Sequence, residues 1–508
     1  YVGYRNGAAP ILPGETAPQG NLFVRSGGTA ESLARWTIGH FADAVGLVEV
    51  DGPNSSVTVG SDLEVGRDGH GTLALQNDAT ISVGNQLFVG VLPGGTGAVT
   101  MTGGVLTTGA SATASDADIE VGYAGVGVFT QSGGTTTVAQ DLILGQTSTG
   151  HGTLNLQGGV VQVLSQGTED NGLYVGLAGT GVLNVTGGAL DVAGALRAGD
   201  RVGGDGAITV NGVAASIAAH DLYLGGDRSV AGGTGSLTLT EGEVQIAADV
   251  KLWSSGSLNI AGGWFEASSF EQGSGTLSHT GGTLFINGGT FDNGGGELNI
   301  SSSKSLGMVL YGGATAHPDD VNLGVNADEG GVLVLSRAGG GSPSKLTAEG
   351  DIKIGDYGVG RLNVEASSQV SVIDGKRIYA GYGEGSYGIF NVYASDINAG
   401  DELVVGYAGT GRAGVYNGTS VTTTRLSMGA IATNTSAPQD MLTIQNGATV
   451  TITQDVVMAN GSNRNTALSL SQASDLLVGG NLYLGNKGSA ALTITNGALV
   501  DIGNVAEV

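Results

Sequence analysis

Short apolar runs with a two-residue period recur along this chain, and each ends in a Gly-rich corner. The clearest stretch is GLYVGLAGTGVLNVTGGALDVAG at 172–194. It holds Leu173/Val175, then Val182/Leu183/Val185, then Leu190/Val192. Alternating apolar and polar positions place one set of side chains on each face of a strand. Nothing in this stretch has a helical period. The unit opens as polar–apolar–x–apolar–Gly, as in DLEVG at 62–66, QLFVG at 86–90, DIEVG at 118–122 and DLILG at 141–145. Further units open at Gly172, Ala195, Asp221 and Asp249, so the steps from Asp62 are 24, 32, 23, 31, 23, 26 and 28 residues.

Three short strands and three corners in about 23 residues predict one coil of a parallel β-helix. A single coil cannot bury its own apolar face, so the cooperative unit is the stack. The corner before the third run carries Gly-Gly or Asn-Gly, at 103–104, 133–134, 158–159, 187–188, 446–447 and 496–497. These residues accept positive φ and predict a left-handed corner position. The expected fold is all-β, a right-handed parallel β-helix (β-solenoid) of about nineteen three-strand coils, roughly 90 Å long at about 4.8 Å per coil. Residues 1–34 read as an irregular segment completing an open coil. Residues 35–250 read as regular β-helix, 251–319 as irregular coils rich in aromatics, and 320–508 as regular coils ending in an open one. Corner insertions at 111–117, 165–171, 228–233, 312–318, 338–344 and 432–439 are where a solenoid carries recognition.

Composition narrows the class. Gly is 95 of 508 residues without a three-residue period and Pro only 8, which excludes collagen. Hydrophobic residues are 40% and regularly spaced, which excludes disorder. The formal charge of −26 opposes nucleic acid and anionic lipid. No apolar run approaches the roughly 20 residues of a membrane span. There is no Cys, and the chain begins at Tyr1 without Met, as an excised or processed segment would.

The two ends read as parts of one opener. Joined end to end, Glu507-Val508-Tyr1-Val2-Gly3-Tyr4 spells EVYVGY, matching DIEVGY at 118–123 class by class. The expected axial interface is therefore Tyr1, Val2, Gly3, Tyr4, Val505, Glu507 and Val508, with copies continuing one another head to tail. A heterologous contact that does not close makes a filament.

Candidate chemistry is sparse. Asp62, Asp118, Asp141, Asp221 and Asp249 open successive units and would align in a column. Aligned carboxylates need turn N–H groups or cations, so the alternatives are Asx capping and Ca²⁺. No other cofactor and no catalytic residue is expected. HPDD at 317–320 is the densest cluster of titratable groups and reads as a loop closing on a coil-opening Asp. The outward position x of the opener carries Phe88, Tyr174, Tyr223, Tyr379 and Tyr483, an expected exposed aromatic stripe for glycan or lateral contact.

The runs VGxxGxGxLxxxxGG at 121–134, 175–188 and, ending in Asn-Gly, 405–418 resemble the β-helical repeats of autotransporter passengers, in the class shared by type V secretion and PEP-CTERM proteins. The resemblance spans about 35–504. It implies export from a Gram-negative cell to the surface or the medium. No C-terminal barrel or Pro-Glu-Pro tail is present in the sequence, so the resemblance leaves the anchor open. The expectation is a non-enzymatic extracellular structural solenoid, a segment of a surface filament or matrix fibre. The alternative is an adhesin reading glycans or a host surface through its corner loops, with a polysaccharide-active enzyme as a third class.

Overall fold

The computed structural model describes Val2 and residues 19–110, 116–165, 171–303, 306–337, 341–431 and 439–508. Among them there are strands and corners but no helix. The chain divides into two units, Tyr1–Phe265 with Gln272–Ser278, and Glu266–Glu271 with His279–Val508. The division falls within the 251–319 stretch.

In the first unit each coil contributes a long first strand, a shorter second and a short third. The first coil is Gln19–Arg25, Thr29–Ser32 and Trp36–Ile38; the next is Val45–Asp51, Ser56–Val59 and Leu63–Val65. Every strand lies parallel to its equivalent one coil on, as Gln19–Arg25 lies on Val45–Asp51. Regular coiling thus starts at Gln19, inside the segment expected to be irregular. The unequal steps of 23 to 32 residues are absorbed in corners, so the ladders keep register. On the first face Val48, Leu73, Val99, Phe129, Leu154, Leu183, Ile208 and Leu237 form one inward column. Each is at most 2% exposed. Burial at that level stabilises by about 1.5–3 kcal/mol per Val, Leu, Ile or Phe side chain. From Gly188–Ala198 onward the second and third strands fuse across a tight corner, with a register shift between Val192 and Ala195.

The second unit repeats this plan. Its third face is a separate nine-stranded parallel sheet running from Leu298–Ile300 to Ala506–Glu507. Among the described residues nine coils precede the long strand Gly256–Glu271 and nine follow it from Thr276–Asn287, in keeping with the about nineteen expected. The expected left-handed corner residues are present: Gly134, Gly159 and Gly188 have φ of 77–78°, and Asn446 and Gly447 have 57° and 71°. Three aromatics of the irregular stretch enter the core: Phe265 is buried in the first unit, and Phe270 stacks on Phe291 at 5.3 Å in the second, while Trp253, Trp264 and Phe285 are half-buried.

The expected joining of the ends does not hold in register. Val2 bridges Ile38, with its N–H donating to the Thr37 carbonyl and its carbonyl accepting from Gly39. It therefore stands at the second apolar position of an opener. At the other end Ala506 pairs with Leu482 and Glu507 with Tyr483. Glu507 is thus level with the outward position, not with the opening polar position of Asn481. The step from Asn481 is 24 residues, to Val505. A direct Val508–Tyr1 bond would carry Val2 two residues past its observed place. Tyr1, Gly3 and Tyr4 lie outside the described residues.

Candidate functional site

The outward row of the third face in the first unit runs Thr37, Glu64, Phe88, Glu120, Ile143, Tyr174, Arg197, Tyr223, Lys251, one residue per coil. Outward here does not mean exposed. Glu64, Glu120, Ile143, Tyr174, Arg197 and Tyr223 are each less than 9% exposed, because the corners after the opener's Gly fold back over the sheet. This corrects the expected exposed stripe. Tyr174 and Tyr223 are covered, and the Arg197 guanidinium lies 4.9 Å from one ring and 5.7 Å from the other. Phe88 is half-buried against Tyr123, with centroids 5.7 Å apart. In the second unit Tyr379 is buried against Tyr382 and Tyr407, which stack on each other at 5.2 Å. Tyr483 is half-buried between Val457 and Glu507.

One cleft of about 710 Å³ opens on this row. Its floor is the buried cluster Ile143, Tyr174 and Leu177. One end is walled by Asp118 and Asp141, the other by Arg197, Asp200 and Arg201. Gln146 lines it too, and its buried side-chain oxygen has no hydrogen-bond partner. The 228–233 insertion supplies a rim: Gly226 and Ala231 form an antiparallel bridge, and Asp227 caps the turn by accepting the N–H groups of Ser229 and Val230 at 2.6 Å each. The bulk of the 111–117, 165–171 and 432–439 insertions lies outside the described residues, as do 338–340.

The Asp column is a hydrogen-bond ladder between coils. Asp118 accepts the N–H of Asp141 (2.8 Å), and Asp141 that of Gly172 (2.7 Å). Asp221 accepts that of Asp249 (3.1 Å), and Asp455 that of Asn481 (2.7 Å). Asp320 and Asp351 do the same for Asp351 and Arg377. Each carboxylate therefore caps the next coil's opener rather than its own turn. Asp62 is instead held by Arg35 at 3.0 Å. Asp249 is exposed. Among the described residues no group of three or more His, Asp or Glu could hold a metal ion. Of the 317–320 cluster, Asp320 belongs to the ladder and is also paired with Lys353 at 3.2 Å.

Two buried glutamates in one row show how partners decide charge. Glu64 meets Arg35 at 3.1 Å, Arg67 at 2.7 Å and the Thr37 hydroxyl at 3.0 Å. Glu120 has only the Gln86 amide at 3.4 Å, and its other oxygen has no hydrogen-bond partner. Burial, then the nearby Asp118, Asp116 and Asp141, push Glu120 up to about 8. Burial also raises Asp141 to about 6, against the opposing Gly172 N–H, and raises Asp118. A carboxyl raised in the folded state adds stability that is full below its unfolded value and lost as pH rises through the folded one. The first unit is accordingly expected to gain stability as pH falls from about 8 toward about 5. Glu120→Gln should raise the unfolding midpoint at pH 8 and flatten this profile. Urea titrations at several pH values check it; a wild-type midpoint that rises with pH across this window would count against it.

The opener pattern located Asp118, Asp141 and Tyr174. It missed Gln146, Leu177, Asp200, Arg201 and Asp227, which lie in corners. Arg197 was findable, since it occupies position x of the unit that opens at Ala195. No protein-family model matches the chain, and no curated protein matches it in sequence.

Proposed function

We propose that the protein is an extracellular structural β-solenoid, extended along its axis into a surface filament or matrix fibre by further coils, of the same polypeptide or of another copy. The observation that carries this reading is the uninterrupted stacking of parallel ladders within each unit, with inward apolar columns such as Val48 to Leu237 on the first face of the first unit. In the coil before Ser489–Ile494 and Leu499–Ile502, Leu468, Leu470, Leu476 and Val478 are at most 3% exposed. Their equivalents Leu492, Val500 and Ile502 are half-open, and Ile494 is 46% exposed. A coil of a further segment or of another copy laid on these strands would pair them and cover Ile494. The acidic composition and the resemblance to exported repeats support an extracellular setting.

The purified chain is expected to associate as its concentration rises, into elongated particles by negative stain. Ile494→Lys should suppress this, because a buried charge would replace an apolar contact. A chain that stays monodisperse at every concentration, indistinguishable from the Lys variant, would contradict the reading.

A further inference from the structure

We propose that the third-face cleft of the first unit binds a neutral oligosaccharide. This stands apart from the fibre reading, since the cleft lies on the side of the coils. Its volume of about 710 Å³ is within the roughly 300–1,000 Å³ of small-molecule sites. The floor of Ile143, Tyr174 and Leu177 is apolar and fixed by packing. A sugar ring has an apolar C–H face that fits such a floor, and hydroxyl groups around its edge that need polar partners.

The rim supplies those partners. Asp118, Asp141, Gln146, Arg201 and Asp227 are planar groups with two or more hydrogen-bonding atoms, able to meet neighbouring hydroxyls. Gln146 is the most telling. Its oxygen accepts nothing where it stands, so turning the amide of this part-exposed side chain toward a ligand hydroxyl would relieve its desolvation. Asp118 and Asp141 are raised by burial, and hydroxyl donors would stabilise their ionised forms.

Charge selects within the class. Four aspartates and two arginines line the cleft, on a chain of formal charge −26. A uronate, sulfated or phosphorylated sugar would meet repulsion. An organic cation fits less well, because Arg197 already lies over the Tyr174 and Tyr223 rings and Arg201 stands on the same wall. A neutral polyol uses both the carboxylate acceptors and the guanidinium donors.

The test is calorimetric titration of the full chain with cellotriose, laminaritriose, maltotriose, mannotriose and triacetylchitotriose. Trigalacturonate and spermidine serve as anionic and cationic controls. At least one neutral trisaccharide should bind with Kd of about 1 mM or tighter, and Gln146→Ala should weaken it about ten-fold or more. Asp141→Asn, which keeps the acceptor for the Gly172 N–H, should also weaken binding without lowering the melting temperature. No binding by any neutral trisaccharide, binding by the controls alone, or affinity unchanged in both variants would overturn the proposal.

Discussion

Gly176→Ala is expected to destabilise the first unit by more than about 3 kcal/mol, whereas Gly447→Ala, at nearly the same backbone angle, should cost only about 1–2 kcal/mol. Gly176 has φ of 70° and Gly447 of 71°. Both therefore carry the same left-handed penalty for a side chain. They differ in what a Cβ would meet. At Gly176 it would land on the backbone carbonyl of Asp205 in the next coil, well inside contact distance. At Gly447 there is nothing within 4 Å. The coil spacing at Gly176 cannot open locally, because its N–H donates to Leu144 at 2.7 Å and the Val175 carbonyl accepts from Gly199 at 2.9 Å. Chemical denaturation and site-resolved hydrogen exchange would separate the two costs. Equal losses at both sites would mean that close approach of the coils does not explain the Gly at the end of each opener.

Arg464→Met is expected to cost about 3–5 kcal/mol in the second unit. Arg464 and Asp440 are both fully buried and 3.6 Å apart. The Arg464 Nη2 also donates toward the carbonyls of Gly406, Tyr407 and Gly409 at 2.7, 2.8 and 3.0 Å. Asp440 accepts the Gly411 N–H at 2.9 Å, and burial pushes it up to about 6 despite the Arg. Removing the guanidinium leaves a buried carboxyl and three carbonyls short of a donor. The Arg464→Met, Asp440→Leu double variant should recover much of the loss, because the unpaired charge disappears. Thermal and urea unfolding of the two variants check this. A double variant less stable than the Arg464→Met variant would show that Asp440 stabilises through the Gly411 N–H even without Arg464, and would contradict the unpaired-charge explanation.

Much of the fold was legible in the sequence because its two signals are local. A two-residue apolar period needs no partner to be read, and the Gly or Asn at each corner answers a backbone angle. Leu154 and Leu183 could be placed inward before their coils were stacked. The cleft was less legible. Whether an outward residue such as Tyr174 is exposed depends on corners that fold over it from other coils, and residue type does not encode that. Glu64 and Glu120 occupy the same position in near-identical openers, DLEVG and DIEVG. Arg35 and Arg67 make the first an ion pair, and their lack of counterparts leaves the second a buried acid. Arg464 likewise sits in a polar stretch, NGSNRNT, that reads as a solvated corner. Its burial follows from the missing side chains at Gly429 and Gly406, where a Cβ would collide with Arg464 and Asp440, not from its neighbours in sequence. The end match misled for a related reason: a class pattern of six residues fits two registers, and only pairing with Leu482 and Tyr483 chooses between them.

The central claim is that these coils belong to a longer axial stack. The most direct measurement is cryo-electron microscopy of the native material at a resolution that separates coils. Fibres with a coil spacing of about 4.8 Å that runs unbroken past the coil containing Ala506 and Glu507 are the predicted result. Isolated particles whose coils stop there, with Ile494 and Val508 facing solvent, would contradict it.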